Sequence, residues 1–158
     1  MSRPGLTTEQ IGELAHKSLE NSIALLDEAE GLASFEKYPR AFSLGVLAAE
    51  EFGKFLMCFG GMAHRPEDAS YWTDFWSRFY DHRPRYESAF GWVMLYLPKE
   101  EAENIWAKFT QHVRADLDRK LAGLYVDVVD GAVRSPDEMI GPEEAFDSLQ
   151  VFEVVIRR

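Results

Sequence analysis

The segment AFSLGVLAAEEFGKFLMCFGGM, residues 41–62, decides the fold. Placed on a helix at roughly 100° per residue, it forms an apolar stripe with Glu51 at its centre. A lone buried charge is costly, so this carboxylate must be paired, hydrogen-bonded or protonated. The apolar members of the stripe are Leu44, Leu47, Ala48, Phe55, Cys58 and Met62.

Two interpretations of this carboxylate remain open. Lys54 lies at the edge of the stripe, where it can meet Glu50 at i,i+4 or Glu51 at i,i+3. The first interpretation is a structural ion pair. The second is a polar site built inside a helical bundle, because perturbed ionisable groups concentrate at functional sites.

The composition indicates one folded domain over residues 1–158. Hydrophobic residues make up 46% of the chain and aromatic residues 13%, which is enough for a sizeable core. The net charge of −10 opposes broad, non-specific binding to nucleic acid, although a small local basic site remains compatible with it. The single cysteine, Cys58, excludes an internal disulfide and a cysteine-rich zinc site.

The apolar runs are short and interrupted by charges, so the sequence predicts no membrane-spanning helix. The first residues, MSRPGLTTEQ, lack the apolar core of a signal peptide. We therefore expect a cytoplasmic protein.

The amphipathic segments predict an all-α fold, an antiparallel bundle of four to five long helices with a further C-terminal helix. The first helix should run from about residue 8 to Ala33, behind a capping box at Thr7-Thr8-Glu9-Gln10. Gly60-Gly61 should end the second helix. Asn21 falls on the predicted buried face of the first helix, where its amide needs partners.

The third segment keeps one apolar phase across Pro84, so it is either one kinked helix or two nearly collinear helices with Asp81 capping the second. Ser70 is the expected cap of its beginning. A fourth helix should run from Pro98 to about Gly123, and the tail from Pro142 is predicted as a helix, with a strand at VFEVVI as the alternative. The predicted buried residues of the third segment are Trp72, Phe75, Trp76, Phe79, Tyr86, Phe90, Val93, Met94 and Leu97. Those of the fourth helix are Ala102, Trp106, Phe109, Val113, Leu117, Leu121 and Leu124.

Two further polar clusters accompany the Glu51 region. The stretch Asp81-His82-Arg83-Pro84-Arg85 sets a histidine beside two arginines, which suits a general base or a phosphate site, but a solvated basic turn has the same sequence features. Lys120 falls on the apolar side of the fourth helix, where it either neutralises Glu51 or extends to water. Arg119, Tyr125 and Asp127 complete this last cluster.

The sequence lacks the motifs of several enzyme classes. Glu13 and His16 have the Glu-x-x-His spacing of di-iron bundles, but the chain has no second copy and these residues point away from the apolar face. There is no Gly-x-Ser-x-Gly elbow and no glycine-rich phosphate loop. We therefore predict neither metal nor cofactor.

Four motifs in order resemble the AbiV family of bacterial abortive-infection proteins, a branch of the all-helical HEPN superfamily. The resemblance runs over roughly residues 15–130. It implies phage defence through growth arrest, action on RNA, and a homodimer. The motifs are Asn21-x-x-x-Leu25-Leu26, Ala48-x-Glu50-Glu51-x-Gly53-Lys54, His82-x-x-Arg85 and Lys120-x-x-Gly123-Leu124-Tyr125-Val126-Asp127.

The resemblance also implies roles for these residues. Many HEPN proteins are metal-independent endoribonucleases with an Arg and a His a few residues apart, whereas here Tyr125 follows Arg119 where the histidine would stand. The hypothesis is therefore that His82 is the base, while Arg85, Arg119 and Lys120 stabilise phosphate and Tyr125 orients or donates a proton. A polar core would hold these side chains in place. Its members would be Asn21, Glu50, Glu51, Lys54 and Asp127.

A second function class competes with the nuclease. A non-catalytic helical module could bind a phage protein or a translation-associated protein, and the acidic composition suits a protein partner better than RNA. A small-molecule binder has no specific motif in this chain.

Overall fold

The central helix of the computed structural model is α2, Tyr38–Gly61, which packs against α1, α4 and α7. The structure describes residues 4–93, 95, 99, 100, 103 and 116–157. Within these residues it confirms the all-α bundle, to which one short hairpin is added. The elements are α1 Thr8–Ser34, α2 Tyr38–Gly61, α3 Ala69–Tyr80, α4 His82–Val93, α5 at 116–122, β1 Asp127–Val129, β2 Ala132–Arg134, α6 Pro136–Met139 and α7 Pro142–Arg157.

The ends of the first two helices follow from local capping. Thr7 is the N-cap of α1 and forms the predicted capping box with Gln10, and the glycine pair ends α2 at Gly61. The prediction that Ser70 caps the third helix was wrong by two residues, because α3 begins at Ala69 after Asp68.

The third segment is two helices rather than one kinked helix. Asp81 separates α3 from α4 in an extended conformation, with φ −85° and ψ 128°. Its Oδ1 accepts a hydrogen bond from the backbone N–H of Arg83 at 3.0 Å, so Asp81 caps the second helix as expected. The break places His82 at the first position of α4.

The apolar residues form two clusters. The larger one lies between α1, α2, α4 and α7, and the smaller one joins α3 to the beginning of α1 and the end of α2. Trp72, Phe75, Phe79 and Tyr86 are buried as predicted. Of the predicted stripe of the fourth helix, Leu121 and Leu124 are exposed. The remaining predicted residues that lie outside the described residues are Met94, Leu97, Ala102, Trp106, Phe109 and Val113.

The segment after α5 holds elements that were not predicted from the sequence, namely the hairpin of β1 and β2 and the short helix α6. β1 and β2 pair in antiparallel fashion, with Val128 opposite Val133, and both valine side chains are exposed. Asp130 and Gly131 form the turn with φ values of 51° and 76°, as two-residue hairpin turns require. The tail is helical over Pro142–Arg157, so the alternative of a strand at VFEVVI was wrong.

Cys58 is fully buried in the smaller cluster, and desolvation raises the pKa of its thiol to about 12. Because the thiolate is the reactive form, we expect DTNB to leave native Cys58 unmodified at pH 8 and to label it readily in guanidinium. Raising the pH toward the pKa should increase the native rate, because more thiolate is present. Equal native and unfolded rates at pH 8 would contradict the burial.

Candidate active site

The enclosed carboxylate is Glu50, whereas the apolar pattern of the sequence predicted Glu51 at the centre of the buried face. Glu50 is 1% exposed, while the side chain of Glu51 retains 18% of its surface. The error has a physical cause: α2 is covered by α1, α4 and α7, so its apolar residues are spread around most of the helix. Such a helix has no narrow stripe whose centre identifies the buried position.

Glu50 is bound by three basic side chains from two other helices. Lys120 Nζ lies 2.5 Å from Oε1, and His82 Nδ1 lies 2.6 Å from Oε2. Arg85 Nη2 lies 3.5 Å from Oε2. Lys120 and Arg85 are almost fully buried, so the carboxylate neutralises cations that would otherwise be unpaired in the core.

A close approach of α4 to α2 brings Arg85 to the carboxylate. A Cβ atom on Gly53 would lie 1.7 Å from the carbonyl oxygen of Arg85, so glycine is required there. Arg85 Nε donates to the carbonyl oxygen of Asp81 at 3.0 Å and Nη2 lies 3.4 Å from that of Tyr80. The guanidinium therefore joins the end of α3 to the site.

A second close approach fixes Lys120. Ser43 Oγ, buried near the beginning of α2, donates to the carbonyl oxygen of Lys120 at 2.7 Å. A Cβ atom on Gly123 would meet Ser43 Oγ at 2.2 Å and the carbonyl oxygen of Pro39 at 2.3 Å. The glycines of the two motifs thus let the segments that carry Arg85 and Lys120 pack directly on α2.

Between α4 and α5, the hydroxyl of Tyr86 donates to Asp116 Oδ2 at 2.9 Å. Burial is the main cause that raises the pKa of Tyr86 well above its ordinary value, and the neighbouring Asp116 adds to it. Tyr86 therefore stays protonated at neutral pH and fixes α5 beside the site. Neither residue was singled out as a polar partner from the sequence, because aromatic periodicity identified Tyr86 only as core.

His82 is the exposed member of the cluster, with 60% of its side chain accessible. A carboxylate can only accept a hydrogen bond, so in the contact with Glu50, which at 2.6 Å is the shortest that Nδ1 makes, this nitrogen of the neutral ring is the donor. Arg85 Nη2 and Lys120 Nζ lie 2.9 and 3.2 Å from the same nitrogen because all three groups converge on Glu50. In this tautomer Nε2 carries the lone pair and is the ring nitrogen that can accept a proton.

Glu51 and Lys54 form their own ion pair on α2, beside the enclosed carboxylate. Both side chains are half-buried, and Lys54 Nζ lies 5.6 Å from the centre of the Phe79 ring. The predicted i,i+3 pair is therefore present, but the acidic group that meets cations from other helices is Glu50.

Four predicted residues are not among the groups that meet at Glu50. Arg119 donates to the carbonyl oxygen of Met139 at 2.5 Å and to Glu144, which ties α5 to the C-terminal helices. Tyr125 is exposed, and Asp127 is exposed at the beginning of β1. Asn21 is exposed rather than buried, because the neighbouring small side chains of α1 face α2: Ser22 donates to the carbonyl oxygen of Ala48.

The described residues contain no group of three or more His, Cys, Asp or Glu side chains suited to hold a metal ion. No helix among them combines the length and the apolarity needed to cross a bilayer.

The fold and the site define a class of protein: a helical bundle whose central helix carries a buried carboxylate bound by His, Arg and Lys from other helices. The HEPN_AbiV family model, described as AbiV, matches residues 10–157. The chain therefore belongs to the AbiV family of the HEPN superfamily, as the four motifs indicated, and this membership suggests a role in abortive infection. Neither a curated protein nor a solved structure gives a significant match.

Proposed function

We propose that this protein acts in phage defence as a metal-independent endoribonuclease whose general base is His82. The single observation that carries the proposal is the exposed imidazole whose Nδ1 is held by the buried Glu50. A carboxylate in that position orients the ring and stabilises the imidazolium that forms when Nε2 takes a proton. A solvated basic turn, the competing interpretation of this stretch, would not need a buried carboxylate.

The proposed reaction is an intramolecular transesterification. Nε2 takes the proton of a ribose 2′-hydroxyl, the 2′ oxygen forms a bond to the adjacent phosphorus, and the bond from phosphorus to the 5′ oxygen breaks. The leaving 5′ oxygen takes up a proton, for which we propose the exposed Tyr125 as donor. The products are a 2′,3′-cyclic phosphate and a 5′-hydroxyl end.

The burial of the cations refines their proposed roles. Arg85 and Lys120 both bind Glu50, so they hold the carboxylate that orients the histidine and supply positive charge behind it. That positive charge stabilises the negative charge on the phosphate in the transition state. The guanidinium of Arg119 is bound to Glu144, so its proposed role is limited to adding positive charge at longer range.

Cleavage of RNA in the presence of a chelator tests the proposal. We expect His82→Ala to lower the rate by about 100-fold, the effect of losing a positioned general base. The measurement is the amount of 2′,3′-cyclic phosphate ends released from a defined single-stranded RNA by purified protein.

The matched control is His16→Ala. His16 is an exposed histidine on α1 that pairs with Glu20 and has no contact with the cluster, so its replacement should leave the rate unchanged. Equal rates for wild type and His82→Ala would remove the histidine from the mechanism. A wild-type protein that releases no cyclic phosphate from any RNA tested would refute the nuclease.

The second candidate function is a non-catalytic module that binds a phage or translation-associated protein. The exposed Val126, Val128 and Val133 around the hairpin favour it, because apolar surface of this kind is typical of contacts between proteins. A homodimer is a further prediction for this chain. Growth arrest that persists in His82→Ala but is lost when Val128 and Val133 are made polar would favour the module.

A further inference from the structure

We infer that a cleft between α2, α3 and α4 binds a small, uncharged heteroaromatic molecule with a lactam edge, of the kind that guanine presents. The cleft has a volume of about 370 Å³, near the lower end of the range for small-molecule sites, which is roughly 300–1,000 Å³. None of the described groups that meet at Glu50 lines this cleft. The inference is therefore independent of the proposed cleavage of RNA.

The walls of the cleft are apolar and come from two helices. Leu56 and Met57 line it from the last turns of α2, and both side chains are partly buried. Phe75 lines it from α3 and is 4% exposed. A thioether and an aromatic ring both make favourable contacts with a flat ring, so this lining suits a heteroaromatic molecule.

Tyr71 contributes a polar group to the cleft, and its ring is held in place. The ring is stacked on that of His64, with centroids 3.6 Å apart and planes inclined by 9°. His64 Nδ1 in turn lies 2.8 Å from Asp68 Oδ2. Burial raises the pKa of Tyr71, so at neutral pH its hydroxyl is protonated and can both donate and accept a hydrogen bond.

The Tyr71 hydroxyl is available to a ligand. Within the described part of the chain, no group forms a hydrogen bond with it. A Cβ atom on Gly60 would lie 3.2 Å from the hydroxyl oxygen and would meet no other described atom outside α2 within 4 Å. Gly60 also lines the cleft and is exposed, so there is open space beside the hydroxyl that a ligand atom can occupy.

Asp74 and Arg78 add an acceptor and a donor to the cleft. They lie one turn apart on α3, and Arg78 Nη1 is 4.0 Å from Asp74 Oδ2, which is beyond hydrogen-bond distance. More than half of each side chain is accessible, so both can bind a ligand. A carboxylate only accepts hydrogen bonds and a guanidinium only donates them. A ligand that satisfies both therefore presents an N–H beside a carbonyl oxygen, as a lactam edge does.

Guanine satisfies this pair more fully than a heterocycle with a single N–H. Its N1 and N2 carry neighbouring N–H groups for the two oxygens of Asp74, and its O6 accepts from Arg78. The two side chains carry opposite charges and no net charge, so they favour an uncharged ligand over an anion. Uridine offers one such N–H, so guanosine should bind more tightly than uridine.

Isothermal titration calorimetry with guanosine tests the cleft directly. We expect saturable binding to the wild type, weakened roughly tenfold or more for 1-methylguanosine, in which the N1 donor is lost. Asp74→Ala should weaken guanosine binding by roughly 10- to 150-fold, the effect of losing hydrogen bonds to a charged group. Tyr71→Phe keeps the ring, and it should weaken binding by about 2- to 10-fold through loss of a neutral hydrogen bond.

Asp147→Ala is the matched control, because it removes an exposed carboxylate from α7, outside the cleft. It should leave the dissociation constant for guanosine unchanged. Absence of saturable guanosine binding to the wild type overturns the inference. Unchanged binding by Asp74→Ala overturns it as well.

The comparison of guanosine with 1-methylguanosine needs only the wild-type protein, so it decides the role of the lactam edge whatever a substitution does to α3. Equal binding of the two nucleosides overturns the inference. Cleavage of RNA that depends on His82, without guanosine binding, would leave the nuclease standing and remove this site. Guanosine binding that depends on Asp74, without any cleavage, would support this site and remove the nuclease.

Discussion

Replacing Glu50 with alanine should lower the free energy of unfolding by about 3–5 kcal/mol, the effect of removing one partner of a buried ion pair. The substitution leaves Lys120 and Arg85 nearly buried, without the carboxylate that both contact. We expect urea denaturation, followed by circular dichroism, to show a lower midpoint with an unchanged slope.

The neighbouring Glu51 provides the control for this experiment. Its ion pair with Lys54 is partly exposed and lies within one helix, so Glu51→Ala should cost about 1 kcal/mol or less. The two variants differ only in which of two adjacent glutamates is removed. Equal losses of stability, or a larger loss for Glu51→Ala, would show that Glu50 is not the buried carboxylate.

The second large effect is expected at Gly53, where α2 and α4 touch. Gly53→Ala should destabilise the protein by about 3 kcal/mol, at the upper end of the usual cost of overpacking. The added methyl group would lie 1.7 Å from the backbone oxygen of Arg85, so the two helices must separate. Separation also withdraws Arg85 from Glu50, and we expect RNA cleavage to fall together with the midpoint of thermal unfolding.

Gly12→Ala is the matched control for the helix-packing experiment. Gly12 lies inside α1, and a Cβ atom there meets nothing within 4 Å. The same substitution should therefore stabilise the protein by about 0.5–1 kcal/mol, because alanine loses less backbone entropy than glycine in a helix. A neutral or stabilising Gly53→Ala would mean that the helices are not in contact at this point.

The ends of several helices were predictable because the signals are local. The capping box at Thr7, the glycine pair at Gly61 and the cap at Asp81 each act within a few residues of the chain. The hairpin, by contrast, was not predicted. Its strands contain three residues each, and Val128 and Val133 are exposed, so no buried periodicity marked them.

The site was predictable as a set of residue types but not as a geometry. His82, Arg85 and Lys120 were identified, and a buried carboxylate on α2 was required, yet its position was one residue off. The phase of a helix covered on several sides depends on its neighbours rather than on its own sequence. The contact from Lys120 to Glu50 spans 70 positions, and no local pattern specifies such a pairing.

The cluster around Glu50 draws on three points of the chain, at residues 50, 82 and 120. Ribosomes deliver these points in that order, and domains fold as they emerge. While the chain is being made, the carboxylate has no lysine partner until the third point has left the exit tunnel. A cell that synthesises this protein thus carries nascent chains whose carboxylate still lacks its lysine partner, and the complete cluster forms only after residue 120 has emerged.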